Sequence, residues 1–242
     1  MKKILSIIVI ITVCVITAIA LMSQNDSKEI SPSTKEAVAN AYNDDDMETV
    51  VKLCDPIYER EGTVDELTIA YALALGQIGK AEKSIGVLKD QITKEPLDSK
   101  LHQVLGDICL VERDYDEAIK AYDTVIRLNP NYARPYIHLG MIYEEKEQSD
   151  KAAENYTEAT RLFITHDYFD ETIDYGCKVL KYDKSNLEML YYVALAYDKK
   201  KEYAEAYEYL TQAMEIISDN NDTSDSFVKG IYPYIYISGQ GE

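Results

Sequence analysis

The stretch DYDEAIKAYDTVIRLNP, from position 114 to position 130, decides the fold because its small, aromatic and proline residues recur at a constant interval. Ala118 and Tyr122 are followed 34 residues later by Ala152 and Tyr156, and Pro130 has a counterpart 34 residues earlier. A fixed period between 20 and 50 residues is the mark of a chain built from stacked structural repeats. The interval therefore predicts a repeat architecture.

Four units of this length begin at Asp65, Ser99, Ala133 and Leu187, and a degenerate fifth begins near Ser31. Each unit holds two segments whose apolar residues lie three or four apart, the period of an amphipathic helix. Neither helix can bury its apolar stripe alone, so neighbouring units must stack to form a core. The predicted units span residues 31–64, 65–98, 99–132, 133–166 and 187–218.

Small residues recur where the two helices of a unit should approach each other. Gly106, Gly140 and Ala194 occupy the eighth position of their units, and alanines occupy the twentieth. We predict that these two positions face each other, with tyrosines filling the wedge between neighbouring helix pairs. Proline ends a helix because it lacks an N–H and disfavours helix in the preceding residue, so Pro96 and Pro130 should stop the second helices.

This pattern resembles the tetratricopeptide repeat, in which a leucine–glycine pair, an alanine, an aromatic residue and a proline stand at these positions. In the unit that begins at Ser99 the matching residues are Leu105, Gly106, Ala118, Tyr122 and Pro130. The resemblance extends over about residues 31–218. It implies an all-α fold, a right-handed α-solenoid of helix-turn-helix units, whose first helices line a concave groove.

The period breaks after residue 166, because the unit at Leu187 starts 20 residues late. The additional segment predicts one extra helix over residues 168–181, with Thr172, Gly176 and Val179 at its packing positions. Its partner would be the second helix of the preceding unit. An inserted helix reverses the sense of the final pair, so we expect the regular stacking to change near residues 165–186.

The resemblance also implies which residues contact a partner, since the second, fifth, ninth and twelfth positions of each unit point into the groove. This lining mixes apolar and acidic side chains, which favours a basic or apolar protein segment. It lacks the lysines and asparagines with which one branch of the family holds a terminal carboxylate. The partner-binding residues expected on this basis are Gln103, Asp107, Leu110, Ile137, Met141, Glu144, Tyr191 and Leu195.

The first 22 residues form a separate segment, in which two lysines precede an uncharged run over residues 4–22. As a helix this run would be about 28 Å long, enough to cross the hydrocarbon core of a bilayer. It is interpreted either as a transmembrane anchor or as a removable signal peptide, followed by a linker over residues 23–30. The first case predicts a single-pass membrane protein with its C-terminal region exported, and the second a secreted or periplasmic one.

Residues 219–242 form a polar linker and a tail in which isoleucine alternates with tyrosine. Alternation of this kind indicates an extended segment, and Pro233 restricts it to the edge of any sheet. The tail is expected to cover the flank of the last helix. The alternatives are that it docks on another chain or lies in the groove.

Composition excludes several classes of function. The chain carries 43 acidic and 25 basic residues, a formal charge of -18, which repels nucleic acid. The cysteines are too far apart for a disulfide framework, and the three histidines lack ligand or triad spacing. We therefore expect no catalytic, cofactor-binding or metal-binding residues and no enzymatic activity.

The leading hypothesis is a membrane-tethered, non-catalytic scaffold whose exported solenoid binds protein or peptide partners. Contact with the membrane would run through residues 4–22 if the segment is not cleaved. Two alternatives stay open: a secreted solenoid that binds a small molecule or glycan, and a recruiting subunit of a multi-protein enzyme.

Overall fold

The computed structural model describes residues 30–220, and all regular structure in this range is helical. The all-α fold class is thus confirmed for this part of the chain. The predicted N-terminal hydrophobic helix and C-terminal tail lie outside the described residues. The helices are α1 (Pro32–Asn43), α2 (Met47–Glu61), α3 (Thr68–Gln77), α4 (Ala81–Lys94), α5 (Ser99–Val111), α6 (Tyr115–Leu128), α7 (Ala133–Glu145), α8 (Ser149–Thr165), α9 (Phe169–Tyr182), α10 (Leu187–Lys199) and α11 (Tyr203–Asn220).

Six turns between paired helices share one backbone geometry. In each, a residue in the left-handed region, with φ between 56° and 77°, ends the first helix. The N–H of the following residue then donates to the carbonyl five residues earlier, at 2.8 to 3.0 Å, which satisfies a carbonyl that the helix end would leave free. The left-handed residues are Asp45, Gly79, Arg113, Glu147, Asp167 and Lys201.

These six turns create six helix pairs from the eleven helices between residues 30 and 220, because α8 belongs to two pairs. It follows α7 through the turn at Glu147 and precedes α9 through the turn at Asp167. It packs against both of these neighbours. The segment beginning at Ala153 is therefore a further 34-residue unit, in phase with the one at Leu187, and it overlaps the unit at Ala133.

One helix can serve two units because the shared positions require the same residue types. Tyr156 is the twenty-fourth residue of the unit at Ala133 and the fourth of the unit at Ala153, and both positions take an aromatic side chain. Ala159 is likewise twenty-seventh in one unit and seventh in the other. Both residues are fully buried. The 20-residue delay in the period thus matches the spacing between equivalent positions of the two helices in a unit.

The rule for which helices stack on one another changes at α8. In the first three units, the first helices α1, α3 and α5 pack on one another in turn. Beyond the break, α10 packs on α8, which is a second helix in its other pair. Helix α9 instead contacts α7, since the Tyr182 hydroxyl lies 2.5 Å from a carboxylate oxygen of Glu144.

The glycines of the helix pairs accommodate tyrosine rings. A Cβ atom added to Gly106 would lie 2.7 Å from the ring of Tyr122, and one added to Gly140 would lie 2.5 Å from the ring of Tyr156. Both tyrosines are fully buried. The nearest atoms to each glycine therefore belong to a tyrosine ring, which occupies the space that the absent Cβ leaves, and the approach of glycine to alanine stays a prediction.

Two cysteines lie in this interior as free thiols, Cys54 and Cys109. Burial, helped by neighbouring carboxylates, raises the pKa of the Cys54 thiol to about 12 and that of Cys109 to about 11. A thiol must ionise to act as a nucleophile, so these two are chemically quiet at neutral pH.

Candidate functional site

The eight residues expected to bind a partner fall on three helices. Three lie on α5, three on α7 and two on α10. Helices α5 and α7 are in contact, because Arg134 and His138 of α7 reach Asp107 of α5. Helix α10 packs on α8 and α9 instead. The structure therefore brings the α5 and α7 residues together into one surface and sets Tyr191 and Leu195 on a different one.

Asp107 is the centre of a polar cluster between α5, α6 and α7. The Tyr122 hydroxyl donates to its Oδ1 at 2.8 Å, and Nε2 of Gln103 does so at 2.7 Å. Nη2 of Arg134 lies 3.6 Å from Oδ2, and Nδ1 of His138 lies 3.2 Å from Oδ1. Burial opposes ionisation of Asp107, but His138, Tyr122 and Arg134 outweigh it and hold the carboxyl pKa below its usual value.

Glu144 is held in the same way one unit later. The hydroxyls of Tyr156 and Tyr182 both donate to its carboxylate at 2.5 Å, and Nζ of Lys178 lies 3.5 Å away. Burial works against the charged form, yet these hydroxyls and the ammonium group lower the pKa of Glu144 below its usual value. The carboxylate is therefore already surrounded by donors from α8 and α9.

An equivalent arrangement stands in the second unit, where sequence reasoning did not find it. The Tyr71 hydroxyl donates to Asp55, and Nζ of Lys83 lies 2.9 Å from the same carboxylate. The buried tyrosine is visible in the sequence as a packing residue. Its carboxylate partner is not, because it comes from a different unit position each time.

These contacts change the interpretation of the acidic groove residues. A carboxylate that is satisfied by tyrosine hydroxyls and a cation gains little by pairing with a basic ligand, since the ligand must displace existing donors. Gln103 is also only 8% exposed. The polar members of the predicted set thus hold the helices together.

Among the predicted residues on α5 and α7, the most exposed one is apolar. Met141 is 42% exposed, and Ile137 lies one turn before it on α7, half-buried. Leu110 is half-buried on α5. Residues four apart share one face of a helix, so Ile137 and Met141 form a continuous apolar strip. We call the surface formed by Leu110, Ile137 and Met141 the apolar strip.

Within residues 30–220, no group of three or more histidine, cysteine, aspartate or glutamate side chains could hold a metal ion. Among the helices of the same range, none combines the length and the apolar character that crossing a bilayer requires.

Comparison with known proteins identifies the repeat. A family model described as TPR repeat matches residues 106–147, and one described as Tetratricopeptide repeat matches residues 133–163 and 187–220. The curated Neutrophil cytosol factor 2 of Bos taurus is 30% identical over 115 residues, which is 48% of this chain and 21% of that protein. The match thus spans about a fifth of its length.

Solved structures of MamA are similar to this chain. The protein titled MamA 41-end from Desulfovibrio magneticus RS-1 is 18% identical, with a TM-score of 0.49 over 80% of this chain and all of that one. Another, titled Crystal structure of MamA, is 19% identical, with a TM-score of 0.48 over 76% of this chain and 96% of that one.

The matched ranges include the unit at Ala133, the unit at Leu187 and most of the unit at Ser99. In these units the structure shows two helices joined by the same turn, and in the units at Ser99 and Ala133 a glycine of the first helix lies against a tyrosine ring of the second. This chain therefore contains tetratricopeptide repeats.

Proposed function

We propose that this protein is a non-catalytic scaffold that binds segments of other proteins, and that the apolar strip is the surface it uses. The observation that carries the proposal is the exposure of Met141 beside Ile137, next to the carboxylates of Asp107 and Glu144, which already accept hydrogen bonds within the chain. Exposed apolar side chains framed by satisfied polar groups are typical of protein-binding surfaces.

The partner we propose is an apolar segment rather than a basic one. The carboxylates of Asp107 and Glu144 already accept hydrogen bonds from tyrosine hydroxyls of this chain, so they add little to the attraction of a basic partner. Binding should then depend on buried apolar area and weakly on salt, because screening acts mainly on exposed charges.

Tethering to a membrane forms the second part of the proposal. Its support is the uncharged run over residues 4–22, preceded by two lysines, which lies outside the described residues. Export of the repeats follows from that orientation. Mass spectrometry of the mature N-terminus tests this part: an intact Met1 in the membrane fraction supports an anchor, whereas a chain that begins after residue 22 in the soluble fraction indicates a cleaved signal.

The binding surface is tested with a photo-crosslinking amino acid at position 141 of the full chain. Cross-linked peptides identified by mass spectrometry should come from recurrent partners and be rich in apolar residues. The yield should persist at about 0.5 M salt, where the Debye length is only a few ångströms. The double substitution Ile137→Asp with Met141→Asp should reduce capture of the same partners by pull-down at least tenfold.

The control for that double substitution is Leu97→Asp, which places a charge on an apolar residue that is 76% exposed in the turn before α5, outside the apolar strip. Partner capture should be unchanged in this variant. If Ile137→Asp with Met141→Asp retains the same partners, or if Leu97→Asp loses them equally, the apolar strip is not the binding surface.

A further inference from the structure

The last helix of residues 30–220, α11, carries an exposed apolar stripe. Tyr203, Tyr207 and Met214 are 63%, 57% and 42% exposed. Their spacing of four and seven residues places them on one face of the helix, immediately beside the buried residues Ala206 and Leu210. Three large apolar side chains in a row on the final helix of a stack call for an explanation, because singly scattered ones would be ordinary.

The same three unit positions are covered in earlier units. They are the seventeenth, twenty-first and twenty-eighth positions, and in the unit at Ser99 they are Tyr115, Ile119 and Ile126, which pack in a core with Leu139 and Ile142 of the next unit. In the unit at Ala153 they are Phe169, Ile173 and Leu180, which pack with Val193 and Ala196 of the next unit.

The stripe of α11 is thus the face on which a following unit would sit. A repeat stack needs a cover on its final face, since an uncovered one leaves apolar area in water. The first helix of a second copy does not fit this face. Where α5 presents the buried residues Leu101, Val104 and Ile108, α1 presents the exposed polar residues Ser33, Glu36 and Asn40.

We propose that residues 227–237 of the same chain, FVKGIYPYIYI, cover the α11 stripe. The chain continues from Asn220 through the six polar residues NDTSDS, which can reach up to about 20 Å and so allow a return along the helix. Extended, residues 231–237 would span about 20 Å, and the stripe from Tyr203 to Met214 spans about 16 Å.

Attachment favours this segment over a second copy of the chain. A segment joined by a short flexible linker is present at an effective concentration in the millimolar range, far above ordinary concentrations of a free partner. The segment carries apolar or aromatic side chains at almost every position, so it can cover an apolar stripe. On α11 the segment would occupy the position that the first helix of the following unit occupies elsewhere in the stack.

The full chain has no tryptophan, so a single introduced indole reports on this face alone. In Tyr207→Trp, the emission should be blue-shifted and its quenching by acrylamide at least threefold weaker than in Glu208→Trp, a control at an exposed position off the stripe, about 100° around the helix. Adding Ile235→Asp and Ile237→Asp should restore strong quenching at position 207 and leave position 208 unchanged. The protection should not depend on protein concentration.

Three results would overturn the proposal. One is equal quenching at positions 207 and 208. Another is protection at position 207 that survives the tail substitutions. The third is protection that grows with protein concentration, which would assign the stripe to a second copy of the chain. Circular dichroism of each variant shows that its helices are intact.

Discussion

At Gly106 the second helix of the pair comes so close that one added carbon would overlap a tyrosine ring. The nearest ring atoms of Tyr122 would lie 2.7 and 2.9 Å from a Cβ there, below any normal carbon–carbon contact. Tyr122 cannot withdraw easily, because its hydroxyl is fixed on Asp107 and its ring edge meets His138 at 5.0 Å between centroids. Glycine is therefore required by the tyrosine rather than by the turn.

The substitution Gly106→Ala should lower the free energy of unfolding by about 1 to 3 kcal/mol, the usual cost of overpacking a dense interior. Urea unfolding followed by circular dichroism measures it. The control is Gly86→Ala in α4, where an added Cβ meets nothing within 4 Å. That variant should gain about 0.5 to 1 kcal/mol, because alanine is the better helix former. Equal effects of the two substitutions would contradict this account.

Asp107 should make stability depend on pH. Its carboxyl pKa lies below the ordinary value of 3.8 in the folded chain, so the stability it contributes is present above about pH 4 and is lost as the pH falls through the lowered pKa. In Asp107→Asn the free energy of unfolding should therefore fall less than in the wild type between about pH 5 and pH 2.5. Asp174→Asn, on the exposed side of α9, controls for the loss of one negative charge. An identical decline in wild type and Asp107→Asn would contradict the assignment.

The position of the small residues could be predicted from the period, but their partner could not. Gly106 and Ala118 recur together, which suggests that they touch. The distance between two helices is set by the largest group that must fit, and here that group is the ring of Tyr122. Likewise, the acidic groove residues could be located, but their pairing with the hydroxyls of Tyr122 and Tyr156 depends on how the two helices of a pair pack against each other.

Among the elements, α8 has the most demanding role because it packs in two helix pairs. Its Arg161 joins it to α10: Nε and Nη2 each lie 2.6 Å from an oxygen of Glu188, whose side chain is only 15% exposed. A two-pronged pair of this kind fixes direction as well as distance. The Arg161–Glu188 ion pair holds α10 against α8, whereas an uninterrupted series of repeats would place that helix beside α7.

Arg161→Met should therefore destabilise the chain by about 1 to 3 kcal/mol, since it leaves the carboxylate of Glu188 half-buried without its bidentate partner. Lys94→Met is the control. Its ammonium lies 3.9 Å from Asp65 with both side chains exposed, and its loss should cost less than about 0.5 kcal/mol. Adding Glu188→Gln to Arg161→Met should recover part of the loss. The assignment fails if the two single substitutions cost the same.

The additional helix and its pairing with α8 could both be predicted from the sequence, but not that the residues from Ala153 onward complete a further 34-residue unit. In the sequence the unit at Leu187 begins 20 residues late, and in the structure the additional helix occupies Phe169–Tyr182. In the unit at Ala153 the eighth and twenty-fourth positions hold Thr160 and Gly176, so the small residue is on the second helix instead of the first. A pattern search that requires glycine or alanine at the eighth position misses such a unit.

Across the whole molecule, the interior is divided into clusters of unequal size. The largest joins residues from α3 to α7, whereas α10 and α11 share a cluster of only four fully or nearly buried residues. Stability in a stack of repeats is the sum of each unit and its interfaces, so it should be lowest where interfaces are small or missing.

Native-state hydrogen exchange should therefore show the amides of α11 opening first and those of α5 and α6 last. Mass spectrometry of peptides from the full chain measures this order. Uniform protection from α1 to α11 would indicate that the stack unfolds as one unit, and slower exchange in α11 than in α5 would contradict the expected order.

An odd number of alternating helices has a consequence for where the chain enters and leaves the stack. Since successive helices between residues 30 and 220 run in opposite directions, α1 and α11 point the same way. Position 30 and position 220 consequently lie at opposite rims. Whatever binds near residue 30 is therefore kept about 20 to 25 Å, one helix length, from whatever binds near residue 220. Had the inserted helix been absent, both ends would have emerged on the same rim, at opposite ends of the stack.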